Sequence, residues 1–280
     1  MTLLIFKNGI QIWRYTASLI LLTLVLQSCE KRKIEPIIDT FPMNQGSEWH
    51  YQRTLYVTVF ESESSDLVED VDTIQNSYKL WVAKDTVLND TMYVTVFESF
   101  EKENVNYKSQ EYYFLDEEGL KLYAMKGSSG AINLGKSAAE FNSVPAFSMD
   151  RFLDFLPPDQ FSGLLYFIPP RFSLQLPLKE DSYWTCTQSN SSSAFRIDKK
   201  VSGTDLLKVG GTEFACFRVE WLYIDYFEDI DIHVTEWIAS EGLIQRTKDF
   251  GRTKVVNLEG EYLYSAAIKE VLQLVDLNLN

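Results

Sequence analysis

The sequence predicts a mostly β protein: two tandem curled antiparallel sheets, open or half-barrel-like, with one short helix between them. Three observations carry this. Along much of the chain apolar and polar residues alternate with period two, as in Trp49, Tyr51, Leu55, Val57 and Val59 on one face, interrupted by Arg53. Turn-forming pairs such as Asn89-Asp90, Gly210-Gly211 and Glu241-Gly242 punctuate the alternation at hairpin intervals. Three landmarks also recur in the same order in two halves. Pro42 precedes Trp49 by the same spacing as Pro177 precedes Trp184; the stretch 87–94 parallels 209–216; and Glu118-Gly119-Leu120 parallels Glu241-Gly242-Leu243. Short links between strands favour antiparallel meanders over a parallel sheet.

Taken in order, residues 1–28 read as a leader. Lys7 and Arg14 give it a basic start, no acidic residue comes before Glu30, and an apolar run at 19–26 is too short to span a bilayer. The run ends at Leu26-Gln27-Ser28-Cys29, which resembles the lipobox of bacterial lipoproteins; the resemblance implies that Cys29 is the acylated residue. Several acyl chains anchor a protein stably where one does not. Residues 29–40 form a tether, and the resemblance to bacterial lipoproteins implies, from Glu30 followed by Lys31-Arg32-Lys33, an outer-membrane protein facing the periplasm. Residues 41–126 make the first β repeat, with further alternating sets at Tyr78, Leu80 and Val82 and at Met92, Val94 and Val96. Residues 177–280 make the second, with Phe217, Val219, Trp221 and Tyr223.

Between them, residues 127–176 lack a strand period and carry five of the eight prolines. The run 148–155, opening on Ser148, supplies the predicted short helix with its N-cap. Phe141, Phe147, Phe152, Phe155, Phe161, Tyr166 and Phe167 also lie here. So aromatic a segment either plugs the end of a sheet or forms a lid over an apolar ligand; the plug is favoured, because exposed aromatic patches invite aggregation.

The motif Phe41-Pro42-x-x-x-Gly46-x-x-Trp49-x-Tyr51 opens the first repeat. The second carries Gly211-Thr212-x-Phe214-x-Cys216-Phe217-Arg218-Val219 and Glu236-Trp237-Ile238-Ala239-Ser240-Glu241-Gly242-Leu243-Ile244. These modules resemble those of an uncharacterised family of Gram-negative envelope lipoproteins. The resemblance implies curled antiparallel sheets shaped like periplasmic lipoprotein carriers, and it brings no catalytic residues.

Composition excludes several functions. A formal net charge of −14 is incompatible with phosphate-backbone binding, so no nucleic-acid partner is expected. Three cysteines are too few for a disulfide scaffold. With Cys29 acylated, Cys186 and Cys216 form either a disulfide or two buried thiols. His50 and His233 stand alone in strand-like segments, and no metal, nucleotide or nucleophile motif is present, so neither metal nor cofactor is expected. Asp225, Glu228, Asp229 and Asp231 read as a solvated loop. The Asp-Thr-aliphatic triplets at Asp72, Asp85 and Asp90 resemble an O-glycosylation acceptor but read more simply as turns entering strands. The expected function is non-catalytic: a membrane-anchored lipoprotein binding an apolar ligand or a partner protein. The alternative is a carboxylate-dependent hydrolase of an envelope polymer. An apolar concavity favours the first, and two carboxylates facing each other in a polar cleft favour the second.

Overall fold

Alternation along the first strand becomes a buried face. Trp49, Tyr51, Arg53, Leu55 and Val57 all lie on one side of β1 (Glu48–Phe60), and all five are buried. The computed structural model describes residues 36–62, 66–90, 92–101, 108–127, 131–132, 144–145, 163–188, 196–224, 232–256 and 262–280. After β1 come β2 (Val68–Leu88), β3 (Met92–Glu101), β4 (Lys108–Leu115), β5 (Gly119–Gly127), β6 (Ala131–Ile132), β7 (Val144–Pro145) and β8 (Leu165–Gln175). The second half holds β9 (Tyr183–Gln188), β10 (Arg196–Val209), β11 (Thr212–Ile224), β12 (His233–Ala239), β13 (Gly242–Val256) and β14 (Tyr262–Asn278). No helix occurs among the described residues, and the predicted helix at 148–155 lies outside them.

The two halves are one sheet, not two. Twelve antiparallel strands run in the order β8-β5-β4-β3-β2-β1-β14-β13-β12-β11-β10-β9, and β6 pairs with β7 in a separate two-stranded sheet. The halves fuse where β1 pairs with β14 from Glu48↔Asn278 to Phe60↔Ser265. Period two shows which face of a strand is buried but not which strand lies beside it, so this junction was invisible in the pattern. The connecting segment also ends earlier than its composition suggests: residues 165–175 form β8, the sixth strand of the first half.

The landmarks fall at corresponding places in the strand order. Asn89 and Asp90 turn β2 into β3 at φ 51° and 60°, and Gly210 and Gly211 turn β10 into β11 at φ 55° and 96°. Both pairs have the two positive φ values of a type I′ hairpin turn. Gly119 and Gly242 open β5 and β13 at φ 144° and 109°. A Cβ on Gly119 would lie 2.1 Å from the Leu174 carbonyl oxygen, and one on Gly242 3.1 Å from the Trp49 indole nitrogen. Bulges fall on the second and fifth strands of each half: the registers pass over Ala83 on β2 and Ser202 on β10, and over Tyr123 on β5 and Ile244 on β13. Bulges increase local twist and bend, the curvature that closing a sheet requires.

The sheet curls far enough to face itself. One buried apolar cluster draws residues from all twelve strands, among them Trp49, Leu80, Phe97, Tyr113, Leu122, Leu174, Trp184, Val201, Val219, Ile238, Ile244 and Leu272. Only a nearly closed barrel lets every strand reach one core. The chain just before β1 caps that end: Ile38 is buried in the cluster and its carbonyl accepts from the Leu178 amide at 2.9 Å, while Phe41 stacks on Trp49. The tether predicted over 29–40 therefore joins the core by Ile38. Closure is incomplete at one place. β8 and β9 end the strand order, and among the described residues no backbone ladder joins them.

Candidate functional site

Inside the barrel, charged residues form a belt between two apolar layers. On β1, Arg53 follows Trp49 and Tyr51 of the first cluster and precedes Leu55 and Val57 of a second. On β14, Glu270 sits between Leu272 and Ile268. On β13, Arg246 and Lys248 lie between Ile244 and Phe250, on β12 Glu236 between Ile238 and Val234, and on β10 Lys199 between Val201 and Ile197. All six charged residues are buried.

The belt is continuous. Arg53 donates to Glu270 Oε2 from Nε at 2.8 Å, with its Nη2 at 2.7 Å. Lys248 Nζ and Arg246 Nη2 stand 3.7 Å and 4.0 Å from Glu270 Oε1. Arg246 Nη1 reaches to 3.7 Å from Glu236 Oε1, and Lys199 Nζ donates to Glu236 Oε2 at 3.1 Å. Burial opposes ionisation of Glu270, but Arg53, Lys248 and Arg246 outweigh it and bring the carboxyl down to about 2. Burial and then the Arg246 charge lower Lys248 to about 7, against the pull of Glu270.

A cavity of about 60 Å³ opens where the belt meets the first cluster. Its apolar wall includes Phe41, Leu80, Phe97, Tyr113, Leu174 and Leu243, and its polar wall is Glu111, Glu236, Lys199 and Ser173. Glu111 on β4 and Glu236 on β12 each come just before the residues that face the bulge on the next strand. The Tyr113 hydroxyl donates to Glu111 at 2.8 Å, and Lys199 and Arg246 engage Glu236. Ser173 and Leu174 of β8, one edge of the open β8–β9 boundary, line the cavity. There the Trp184 indole N–H donates to the Phe172 carbonyl at 3.0 Å and Lys199 Nζ to the Ser173 carbonyl at 2.9 Å.

The residues singled out in the sequence are not assembled at this cavity. Cys29 lies outside the described residues, as do Phe141, Phe147, Phe152, Phe155 and Phe161 and the acidic run 225–231. Tyr166 and Phe167 belong to β8: Phe167 is buried with the Arg171 guanidinium 4.3 Å from its ring centroid, and Tyr166 packs edge-on to Tyr123. Cys186 and Cys216 are free thiols, Cys186 in the second cluster and Cys216 in the first. Strand order explains this. β10 separates their strands, so two inter-strand spacings of about 4.8 Å intervene where a disulfide needs Cα atoms about 6 Å apart. Burial pushes the Cys216 thiol up to about 12. His50 sits 3.5 Å from Glu48, and His233 begins β12 exposed. Among the described residues no three His, Cys, Asp or Glu side chains converge as metal ligands.

Composition arguments missed the belt. Its signal was nonetheless present, as charged residues flanked two positions away by apolar ones: Lys199 between Ile197 and Val201, Glu236 between Val234 and Ile238, Glu270 between Ile268 and Leu272.

No protein-family model matches the sequence, and no curated protein does. Among solved structures, the chain is similar to a protein from Bacteroides fragilis NCTC 9343 that is inferred to be exported and described as having a YmcC-like fold. The two are 12% identical, the match covers 86% of this chain and 99% of that one, and the TM-score is 0.31.

Proposed function

We propose that this protein is a lipoprotein of the bacterial outer membrane, held by acylated Cys29 and facing the periplasm, whose barrel binds an apolar ligand without chemical turnover. The anchor rests on Leu26-Gln27-Ser28-Cys29 behind its short apolar run. The cavity carries the binding role: its wall is mostly apolar with a few polar groups among it, the usual composition of a small-molecule site. Two carboxylates do line it, as a hydrolase of envelope polymers would require. Each is held within the protein, however, Glu111 by Tyr113 and Glu236 by Lys199 and Arg246. With their oxygens engaged inside the fold and a mostly apolar wall around them, they do not form the polar cleft in which a pair of acid–base carboxylates would act.

The test has two arms. Cys29→Ala should move the protein out of the membrane fraction; retention there would refute the anchor. The released Cys29→Ala protein should bind fluorescent acyl lipids saturably and return them chemically unchanged. Absence of binding, or release of cleaved product, would refute the carrier reading.

A further inference from the structure

The cavity is too small for the ligand class it is built for. Small-molecule sites occupy roughly 300–1,000 Å³, and this one measures about 60 Å³, room for about four waters. A ligand with an acyl chain therefore requires the barrel to open, and the strand order shows where. Every neighbouring pair in the twelve-stranded sheet is joined by a backbone ladder, so parting any pair breaks several hydrogen bonds together. At the β8–β9 boundary the described contacts are of another kind: the Trp184 indole on the Phe172 carbonyl, the Lys199 ammonium on the Ser173 carbonyl, and the Phe172 and Trp184 rings 6.5 Å apart. Ser173 and Leu174 of β8, and Lys199, which reaches the Ser173 carbonyl from β10, also line the cavity. The weakest junction of the barrel and its internal space are thus adjacent.

Chemistry at the boundary restricts the ligand's head. Parting β8 from β9 takes the Ser173 carbonyl away from Lys199, which then presents an N–H donor at the cavity wall. The group it leaves is a carbonyl oxygen, and an ester or amide oxygen reproduces that contact. Lys199, the cation on the cavity wall, is already paired with Glu236, and Glu111 adds a second carboxylate there, so an uncharged carbonyl suits this wall better than an anionic head.

We propose that the β8–β9 boundary is a lateral entrance to the cavity, and that the ligand entering there is an uncharged acyl compound whose ester or amide carbonyl accepts a hydrogen bond from Lys199. This rests on the binding role proposed above. The experiment uses the Cys29→Ala protein and a monoacylglycerol with a fluorescent acyl chain, set against the free fatty acid of the same chain. Trp184→Phe keeps the ring and removes the indole N–H. Uptake in stopped flow should become about fivefold faster, the factor given by loss of one ordinary hydrogen bond, and the monoacylglycerol should bind at least tenfold more tightly than the acid. Should Trp184→Phe fold poorly, hydrogen exchange of the Cys29→Ala parent decides. Amides of β8 and β9 should exchange faster than those of β1 and β14 and slow when monoacylglycerol binds. Lipid that binds while uptake or exchange at β8 and β9 is unmoved overturns the entrance alone. Equal or tighter binding of the free acid overturns the assignment of the head group. No binding of either lipid overturns the carrier role, and the entrance with it.

Discussion

Glu270→Gln tests whether the belt is held together by charge. The substitution preserves shape and removes one negative charge facing Arg53, Lys248 and Arg246. Two routes give its magnitude. A carboxyl brought from 4.5 to about 2 by its surroundings gains 2.5 pKa steps of about 1.4 kcal/mol each, or about 3 kcal/mol. Breaking a buried ion pair from one side costs about 3–5 kcal/mol, because the partner charge stays buried. The pH dependence follows from the sign: a lowered carboxyl stabilises the fold above about 4.5, and that contribution disappears as pH falls towards 2. Urea unfolding of the Cys29→Ala protein should show the Gln variant about 3 kcal/mol less stable at pH 7. The gap should narrow steadily through pH 4 and 3. Removing Arg53 as well, as Arg53→Met with Glu270→Leu, should recover only part of the loss, since Lys248 and Arg246 stay buried beside the lost carboxylate. A gap below about 1 kcal/mol at pH 7, or one that is the same at pH 3, would refute the electrostatic account.

Lys248, lowered from 10.5 to about 7, binds fewer protons folded than unfolded between those values, so stability should rise with pH from 7 to 9 by up to about 1.4 kcal/mol per unit. Above pH 9 the raised Cys216 thiol acts in the opposite direction. Lys248→Met should flatten the rise, and a parallel slope in the variant would rule out this lysine as its source. Trp49→Ala and Trp184→Ala should each cost about 3–5 kcal/mol in denaturant unfolding, because both rings are buried and both indole N–H groups donate to backbone carbonyls, Glu241 and Phe172. An unmoved midpoint for either would contradict its burial.

The sequence shows faces better than neighbours. Period two placed Trp49, Tyr51, Leu55 and Val57 on one side of β1, and the turns at Asn89-Asp90 and Gly210-Gly211 could be read because positive φ selects those residue types. Arg53 read as an interruption because its partner, Glu270, is 217 residues away and on a strand that no local pattern places beside β1. The β8–β9 boundary was hidden for a related reason: a missing ladder is a property of strand order, and alternation is the same in a paired and an unpaired edge. β8 itself was obscured by Pro169 and Pro170, which lie within it and lack the N–H that a central strand uses.

The belt also bears on how a twelve-stranded barrel finds one register. Apolar layers are tolerant: a strand displaced by two residues exchanges one aliphatic pair for another at little cost. A charge is not tolerant. With β1 and β14 in register, Arg53 lies opposite Leu272 and Glu270 opposite Leu55, one rung on each side of Thr54↔Val271, and this diagonal lets the guanidinium reach the carboxylate. A slip of two residues one way would leave Arg53 facing Leu274, two positions further from Glu270, and a slip of one would turn Glu270 to the outer face. Either leaves a buried cation unpaired, at a cost of several kcal/mol. The ion pairs therefore contribute less to how stable the barrel is than to which of its near-equivalent pairings it adopts. They do so at the β1–β14 junction, where two halves distant in sequence must meet in a single alignment.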